Sequence, residues 1–562
     1  MTDLTAQLYT VVGAINGAVF SVPVLCVLVA AGVLFTVWTG FGQLRALTHG
    51  IALTLGRYDT GTGPGAISHF QAVSAALSAT VGLGNIAGVA LAVEFGGPGA
   101  VFWMWVVGLV GMAVKMVEVT LAMLYRNVDD PDNPHGGAMW VARRGLAELR
   151  PGLARAGKWV GGIFCLALIT NAVTANAIFQ SWNVADTTRS YFGVEPVITG
   201  AVLAVLVGLV TLGGVRRIGR VAGILVPFMA LLYVAAGLVV LAMNAEVVPA
   251  MLRLIVTSAF APTEAGQAFV GASVATAFIW GLKRALFSSE AGLGTAPIAH
   301  SAVKTPEPVT EGIVAGLEPF VDTLVVCTIT ALVILSSGVW DRPPEGELPR
   351  DTALTATAEA HWGLPDTPVP DDMRTAWAED DRLFVLVATG EGRQRLFGDV
   401  VHRDGQRVIA WENVVADVRP ALVGNGVYAD YTGSTLTAHA FDSAAAGLGK
   451  WLITLAIWMF ALSTMITWSY YGEQGVIYLG GERWVTGYRL MFCALIVVGC
   501  AGLIEGARQL DQIGVLGVAF MLCINLPLTL VLAHKAITAY RDYLRRLDSG
   551  ELHGLRNPGR FR

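Results

Sequence analysis

The chain is 562 residues long, 54% hydrophobic and only 14% charged, with a formal net charge of −5 and a mean hydropathy of +0.60. A soluble protein of this length would carry roughly a quarter charged residues. The deficit is concentrated in long apolar runs, so the composition predicts an all-α polytopic membrane protein in a lipid bilayer and speaks against a soluble enzyme. No basic block or zinc-ligand spacing appears, and no nucleic-acid partner is expected. The six cysteines, Cys26, Cys165, Cys327, Cys493, Cys500 and Cys523, lie in or beside apolar runs without CxxC spacing, and read as small buried hydrophobes.

Eleven segments reach the roughly 20 apolar residues that cross a bilayer. They fall near 15–38, 70–95, 100–125, 159–183, 194–212, 221–243, 266–290, 311–338, 448–474, 485–505 and 511–536, and are numbered 1 to 11 below. The start Met1-Thr2-Asp3 has no basic n-region, so segment 1 reads as a retained helix. Basic residues such as Arg126, Arg143, Arg144, Arg216, Arg217, Lys304, Arg483 and Lys535 crowd the loops after segments 1, 3, 5, 7 and 9 and the C-terminal tail. The opposite short loops hold only Arg189, Arg253 and Arg508. The positive-inside rule then places the N-terminus outside and the C-terminus in the cytoplasm.

Residues 1–339 are read as transmembrane helices 1–8, 340–445 as an extracytoplasmic insertion, 446–540 as helices 9–11 and 541–562 as a cytoplasmic tail. The insertion is rich in Asp, Glu and Pro. Within it, 382–387 and 407–411 read as strands, with Asp404-Gly405 turning a hairpin between 398–401 and the latter, so a small β-rich domain is expected.

Segment 2 contains Ser78-Ala79-Thr80-Val81-Gly82-Leu83-Gly84-Asn85, where an ordinary span would carry leucine and alanine. Broken backbone at membrane depth is tolerated only where protein or a wet cavity meets the freed groups, and such breaks build ion and substrate sites in transporters. Without peripheral segment 1, the rest divides into segments 2–6 and 7–11, and the first member of each group is interrupted. Segment 7 has Gly271-Ala272-Ser273, Trp280-Gly281 and then Ser288 to Pro297. Five is odd, so the second group enters from the opposite side, which is the arithmetic of an inverted repeat. Exposed N–H groups at a half-helix N-terminus favour a carboxylate, and freed carbonyls with side-chain oxygens replace the hydration shell of a small cation. The candidates are the Ser78 and Val81 carbonyls, the Thr80 hydroxyl, the Asn85 amide and, in segment 9, the hydroxyls of Ser463 and Thr464, for which back-bonding to the helix is the plain alternative.

Ala76 to Ala90, Gly96 to Trp105, Lys115 to Ala122, Lys283 to Gly292, Ala296 to His300 and Trp468 to Glu473 resemble the alanine/glycine:cation symporter (sodium:alanine symporter) family over nearly the whole membrane part, though not over the 340–441 insertion. The resemblance implies a LeuT-type 5+5 inverted repeat and sodium-driven uptake of a small neutral amino acid, alanine or glycine, across the bacterial inner membrane by alternating access. It implies one sodium site from Ser78, Val81, Phe460, Ser463 and Thr464. Thr80 and Asn85 fall where a second sodium or the substrate binds, Leu83 and Gly84 offer amides to the carboxylate, and Gly82 and Trp280 join the expected substrate set. Phe179 and Trp468 are placed to line the cavity.

One departure matters. The family's fourth span commonly reads Val-Gln-Ser/Ala-Asn with the glutamine facing substrate, whereas this chain has Val173-Thr174-Ala175-Asn176. Thr174 and Asn176 are therefore expected to bear on substrate choice, leaving room for a different small or medium amino acid. Lys115 and Glu118, three apart on one helical face, are placed to pair; an internal ion pair near the cytoplasmic half is the plain reading, and an inner-gate latch, implied by the family motif that includes both, is the sharper one. Glu290 reads as a helix-terminus or gate partner and His300 as a structural contact. Proton coupling on the same fold and a transporter-derived sensor are the competing readings. No nucleophile–base pair or metal cluster marks a membrane enzyme.

Overall fold

The computed structural model describes residues 12–552 apart from 59–60, 359, 370–376, 380, 391, 404 and 502–506. Met1-Thr2-Asp3, the hairpin residue Asp404 and the basic end of the tail lie outside the described residues. Helices occupy all eleven predicted segments. Seven are long and apolar enough to cross a membrane, and two bent pairs raise the total to nine among the described residues. Segments 5 and 7 are helical over Pro196–Thr211 and Val274–Ser289, 16 residues each, about 24 Å at 1.5 Å per residue and short of a straight crossing. Chain length and apolarity thus establish a polytopic helical membrane protein.

Segment 2 is a bent pair, His69–Thr80 and Gly84–Gly96, with 54° between its halves. The first half starts on a capping box in which the Gln71 N–H donates to Ser68 Oγ and the Ser68 N–H donates to Gln71 Oε1. It ends where Val81 turns to ψ 95°. The second half is nucleated from within: Asn85 Oδ1 accepts the Gly82 N–H at 2.9 Å. Segment 7 begins at 274 and not at 266, because Ser273 caps the helix and Gly271 at φ +90° keeps the preceding residues in a loop. It stops at Glu290, a left-handed non-glycine residue at φ 51°, and resumes as Ala296–His300. Its contact with segment 3 is close. A Cβ on Gly281 would lie 2.4 Å from the Ala100 carbonyl oxygen, the small-residue packing that brings membrane helices together.

Residues 346–429 form two antiparallel sheets. The larger has the order β1-β9-β5-β6-β7-β4, with β1 Gly346–Glu347, β4 Thr367–Pro368, β5 Arg382–Thr389, β6 Gly392–Arg403, β7 Gln406–Trp411 and β9 Ala421–Ala429. The smaller joins β2 Thr355–Ala358, β3 His361–Gly363 and β8 Asn413–Val415. β5 reads as an unbroken apolar run because both its faces are covered. Leu383, Val385 and Val387 enter the sheet's own core, while Phe384 and Leu386 pack on Ala268 beside segment 7. Arg395 of β6 makes an ion pair with Glu94 at the end of segment 2, donates to the Ala268 carbonyl and lies over the Phe384 ring. The chain then returns through Thr432 to a helix, Ser434–Asp442, that packs on the membrane part, where Thr437 Oγ1 donates to the Ile86 carbonyl at 3.0 Å.

The segment 11 helix runs on to Asp548, past the expected boundary at 536. Its basic end is not free: Arg546 donates two bonds of 2.8 Å to Glu307, and Tyr543 meets His49 at 2.7 Å. Of the cysteines, Cys165, Cys327 and Cys500 are buried, but Cys26 and Cys523 are exposed, which corrects the reading of all six as buried.

Candidate functional site

A cavity of about 420 Å³ lies at the break in segment 2. The break supplies Thr80, Gly82, Leu83 and Gly84, segment 4 supplies Asn176 and Phe179, segment 7 supplies Glu290, and segment 9 supplies Thr464 and Trp468. The cavity runs from buried Thr464 to exposed Thr432, so its mouth is at the insertion end of the bundle. Leu83 and Gly84 sit at the N-terminus of the second half-helix, where the first N–H groups have no partner inside the helix and the dipole favours negative charge.

Against the break lies a buried cluster of oxygens. Ser78 Oγ donates to the Ser463 carbonyl at 2.7 Å, Thr464 Oγ1 to the Ser78 carbonyl at 3.1 Å, and Ser463 Oγ to the Phe460 carbonyl at 2.9 Å. Val81 is the residue at which the helix leaves α geometry beside them. A Cβ on Gly82 would come within 3.1 Å of Thr464 Oγ1, so glycine lets the two segments close on each other. Each hydroxyl uses its proton on a carbonyl and keeps lone pairs. Hard, uncharged oxygens from an unwound helix and its neighbour fit a small monovalent cation.

Three expected substrate residues stand elsewhere. Asn85 is fully buried and structural: besides holding Gly82, its Nδ2 donates to the Asp322 carboxylate. Thr174, the first residue of a π-turn over Thr174–Ile178, is off the cavity wall, its hydroxyl bonded back to the Thr170 carbonyl at 2.8 Å. Trp280 stacks on Phe95 at 4.9 Å and does not line the cavity. The sequence reading missed Asn171, Gln180, Asn183 and Arg284, all on the wall. The signal was available for the amides, which recur with Asn176 at helical intervals on segment 4, whereas Arg284 reads in sequence as a cytoplasmic-side charge.

Lys115 and Glu118 do not pair. Lys115 Nζ makes an ion pair with Glu318 at 3.1 Å, and Glu118 accepts from Asn525 Nδ2 at 2.9 Å. Partners on other helices outcompete the local neighbour because each of these charges is buried and needs a directed contact. Glu290 accepts from Thr295 Oγ1 at 2.6 Å within the segment 7 break. Replacing Lys115 by methionine leaves the buried Glu318 carboxylate with His300 on one oxygen and no partner on the other, a loss of about 3 kcal/mol. A clear fall in the melting temperature of the detergent-solubilised protein is expected, and an unchanged melting curve would show that the pair carries no structural load.

The sodium:alanine symporter family matches residues 5–363 and 418–556. The chain is 36% identical over 483 residues to the sodium/alanine symporter AgcS of Methanococcus maripaludis, covering 86% of each chain. It is 30% identical over 541 residues to the putative sodium/proton-dependent alanine carrier protein YrbD of Bacillus subtilis, covering 96% of this chain and 93% of that one. It is also 27% identical over 546 residues to the probable sodium/glutamine symporter GlnT of Bacillus subtilis, with 96% and 92% covered. Between the two matched blocks lie residues 364–417, which include β5, β6 and β7 of the larger sheet. The chain belongs to the sodium:alanine symporter family and is a multi-pass membrane transporter, not an enzyme.

Proposed function

We propose that this chain couples the uptake of a small neutral amino acid to sodium by alternating access, on a LeuT-type 5+5 repeat of eleven crossings in the cell inner membrane, with the N-terminus outside. Segment 7 completes its crossing through 290–300, antiparallel to the broken segment 2. The carrying observation is the oxygen cluster of Ser78, Phe460, Ser463 and Thr464 directly behind the cavity that Thr80, Leu83 and Gly84 line. A sodium ion there, held also by the Val81 carbonyl, neutralises the freed backbone and pins the half-helix. The substrate carboxylate then meets the Leu83 and Gly84 amides in an arrangement already organised, which is how the ion raises substrate affinity. The amino acids named for the relatives, alanine and glutamine, are both uncharged in the side chain, in keeping with the amides of Asn171, Asn176, Gln180 and Asn183 on the wall.

The test is uptake into proteoliposomes of alanine, glycine and glutamine, with an imposed sodium or proton gradient. Uptake of at least one of them is expected to rise roughly tenfold or more when sodium is imposed. Uptake indifferent to sodium but driven by protons would overturn the coupling.

A further inference from the structure

Segment 8 carries three buried acidic residues, Glu311, Glu318 and Asp322, none exposed to solvent. Two of them hold both broken segments at once, at different levels. Asp322 accepts from Asn85, just past the break in segment 2, and from Ser288, just before the break in segment 7. Glu311 holds the parts lying beyond the breaks, away from the cavity mouth. One oxygen contacts His69, the first residue of the half-helix His69–Thr80, and the other meets His300 Nδ1 at 2.6 Å, the last residue of Ala296–His300.

Glu311 is also the centre of a longer chain. His300 Nε2 meets Glu318 Oε1 at 2.6 Å, and Glu318 is the partner of Lys115. The order His69, Glu311, His300, Glu318, Lys115 alternates bases and acids across four segments. Carboxylate oxygens face both ring nitrogens of His300, which a doubly protonated imidazolium satisfies. Around it, Arg126 donates to the Pro64 carbonyl ahead of segment 2 and to those of Ser301, Val303 and Thr305 behind segment 7. The end of the bundle opposite the cavity mouth is thus closed by bonds that tie the two half-helices to one acid.

We propose that Glu311 is the shared latch of the gate opposite the insertion, and that Asp322 is the hinge about which the half-helices 69–80 and 296–300 swing when it opens. This rests on the alternating-access reading above. A swing about the breaks keeps the Asp322 contacts, which lie on the pivot, and breaks the Glu311 contacts, which lie at the far ends. Because one carboxylate holds both imidazoles, losing it frees the His69 half-helix and leaves the His300 half-helix on Glu318 alone, whereas losing one imidazole leaves the other arm on Glu311. Glu311 is a positioning residue and touches no cavity atom.

The experiment places a thiol reporter on the first half-helix, Ser74→Cys, a position that is almost fully buried in this conformation. The full-length protein in detergent is treated with a membrane-impermeant maleimide, and protein without the reporter gives the background from its own cysteines. Glu311→Gln is expected to raise the labelling rate about tenfold, and His69→Gln or His300→Gln alone by a smaller factor. Sodium-dependent amino-acid binding should persist in Glu311→Gln while turnover falls, a split that loss of fold would not produce. If Glu311→Gln does not yield folded protein, His69→Gln, which leaves the Glu311–His300 bond in place, carries the test. Labelling unchanged from the reporter alone in the folded variants overturns the proposal. Labelling is read without substrate, so a chain that binds no amino acid would defeat the functional reading and leave this result standing.

Discussion

Thr464→Val is expected to weaken the dependence of uptake on sodium by one to two orders of magnitude with little change in fold. Valine has the shape of threonine, and the residue is packed on a helix that is buried on nearly every face, so the substitution removes an oxygen and not a volume. The lost hydroxyl donates to the Ser78 carbonyl and stands next to Gly82. A bond to a charged group is worth about 1.5–3 kcal/mol, which is roughly ten- to hundredfold in affinity. Uptake measured against sodium concentration should show the half-saturation shifted upward by that factor, with the maximal rate recovered at high sodium. An unshifted curve would remove Thr464 from the ion site.

Asn85→Ala is expected to cost both stability and transport. The side chain serves two buried partners on different segments: it accepts the Gly82 N–H that shapes the break, and it donates to Asp322. Alanine leaves an unpaired N–H and a carboxylate with only the Ser288 and Thr323 hydroxyls, together about 3–5 kcal/mol. The measurement is thermal unfolding in detergent alongside sodium-driven uptake. A stable variant that fails to transport would return Asn85 to the substrate site; a destabilised one confirms that it shapes the site from behind.

The contrast between these two residues shows where sequence reasoning reaches its limit. Both are polar groups in apolar segments beside a helix break, and by spacing alone both are ligand candidates. Ser78 and Thr464 converge because their hydroxyls reach across close-packed helices to a carbonyl on the other, while Ser463 bonds back to Phe460 on its own helix and offers its carbonyl to Ser78. Asn85 turns the other way because a buried carboxylate on segment 8 needs a donor more than the cavity does. Thr174 fails for a different reason. It opens a π-turn, which changes which of the residues after it share a face with those before it, a local event that apolar periodicity does not report. Lys115 illustrates the same limit for charge: Glu118 at three residues' distance is the obvious partner until the fold brings Glu318 closer.

The amino-acid sequence by itself determined that this is a membrane protein of many helices, where those helices lie, and that segments 2 and 7 are broken; its motifs supplied the resemblance to a transporter family. The first three properties follow from segment-long apolarity and from glycines and capping residues that act within a few positions. Only the tertiary structure decided which polar groups face the cavity, which face one another, and that segment 8 binds both broken segments through Glu311 and Asp322. The physical reason is that a buried polar group is costly until it is paired, and the partners that meet that need are separated by up to several hundred residues along the chain, a pairing that neither period nor propensity encodes.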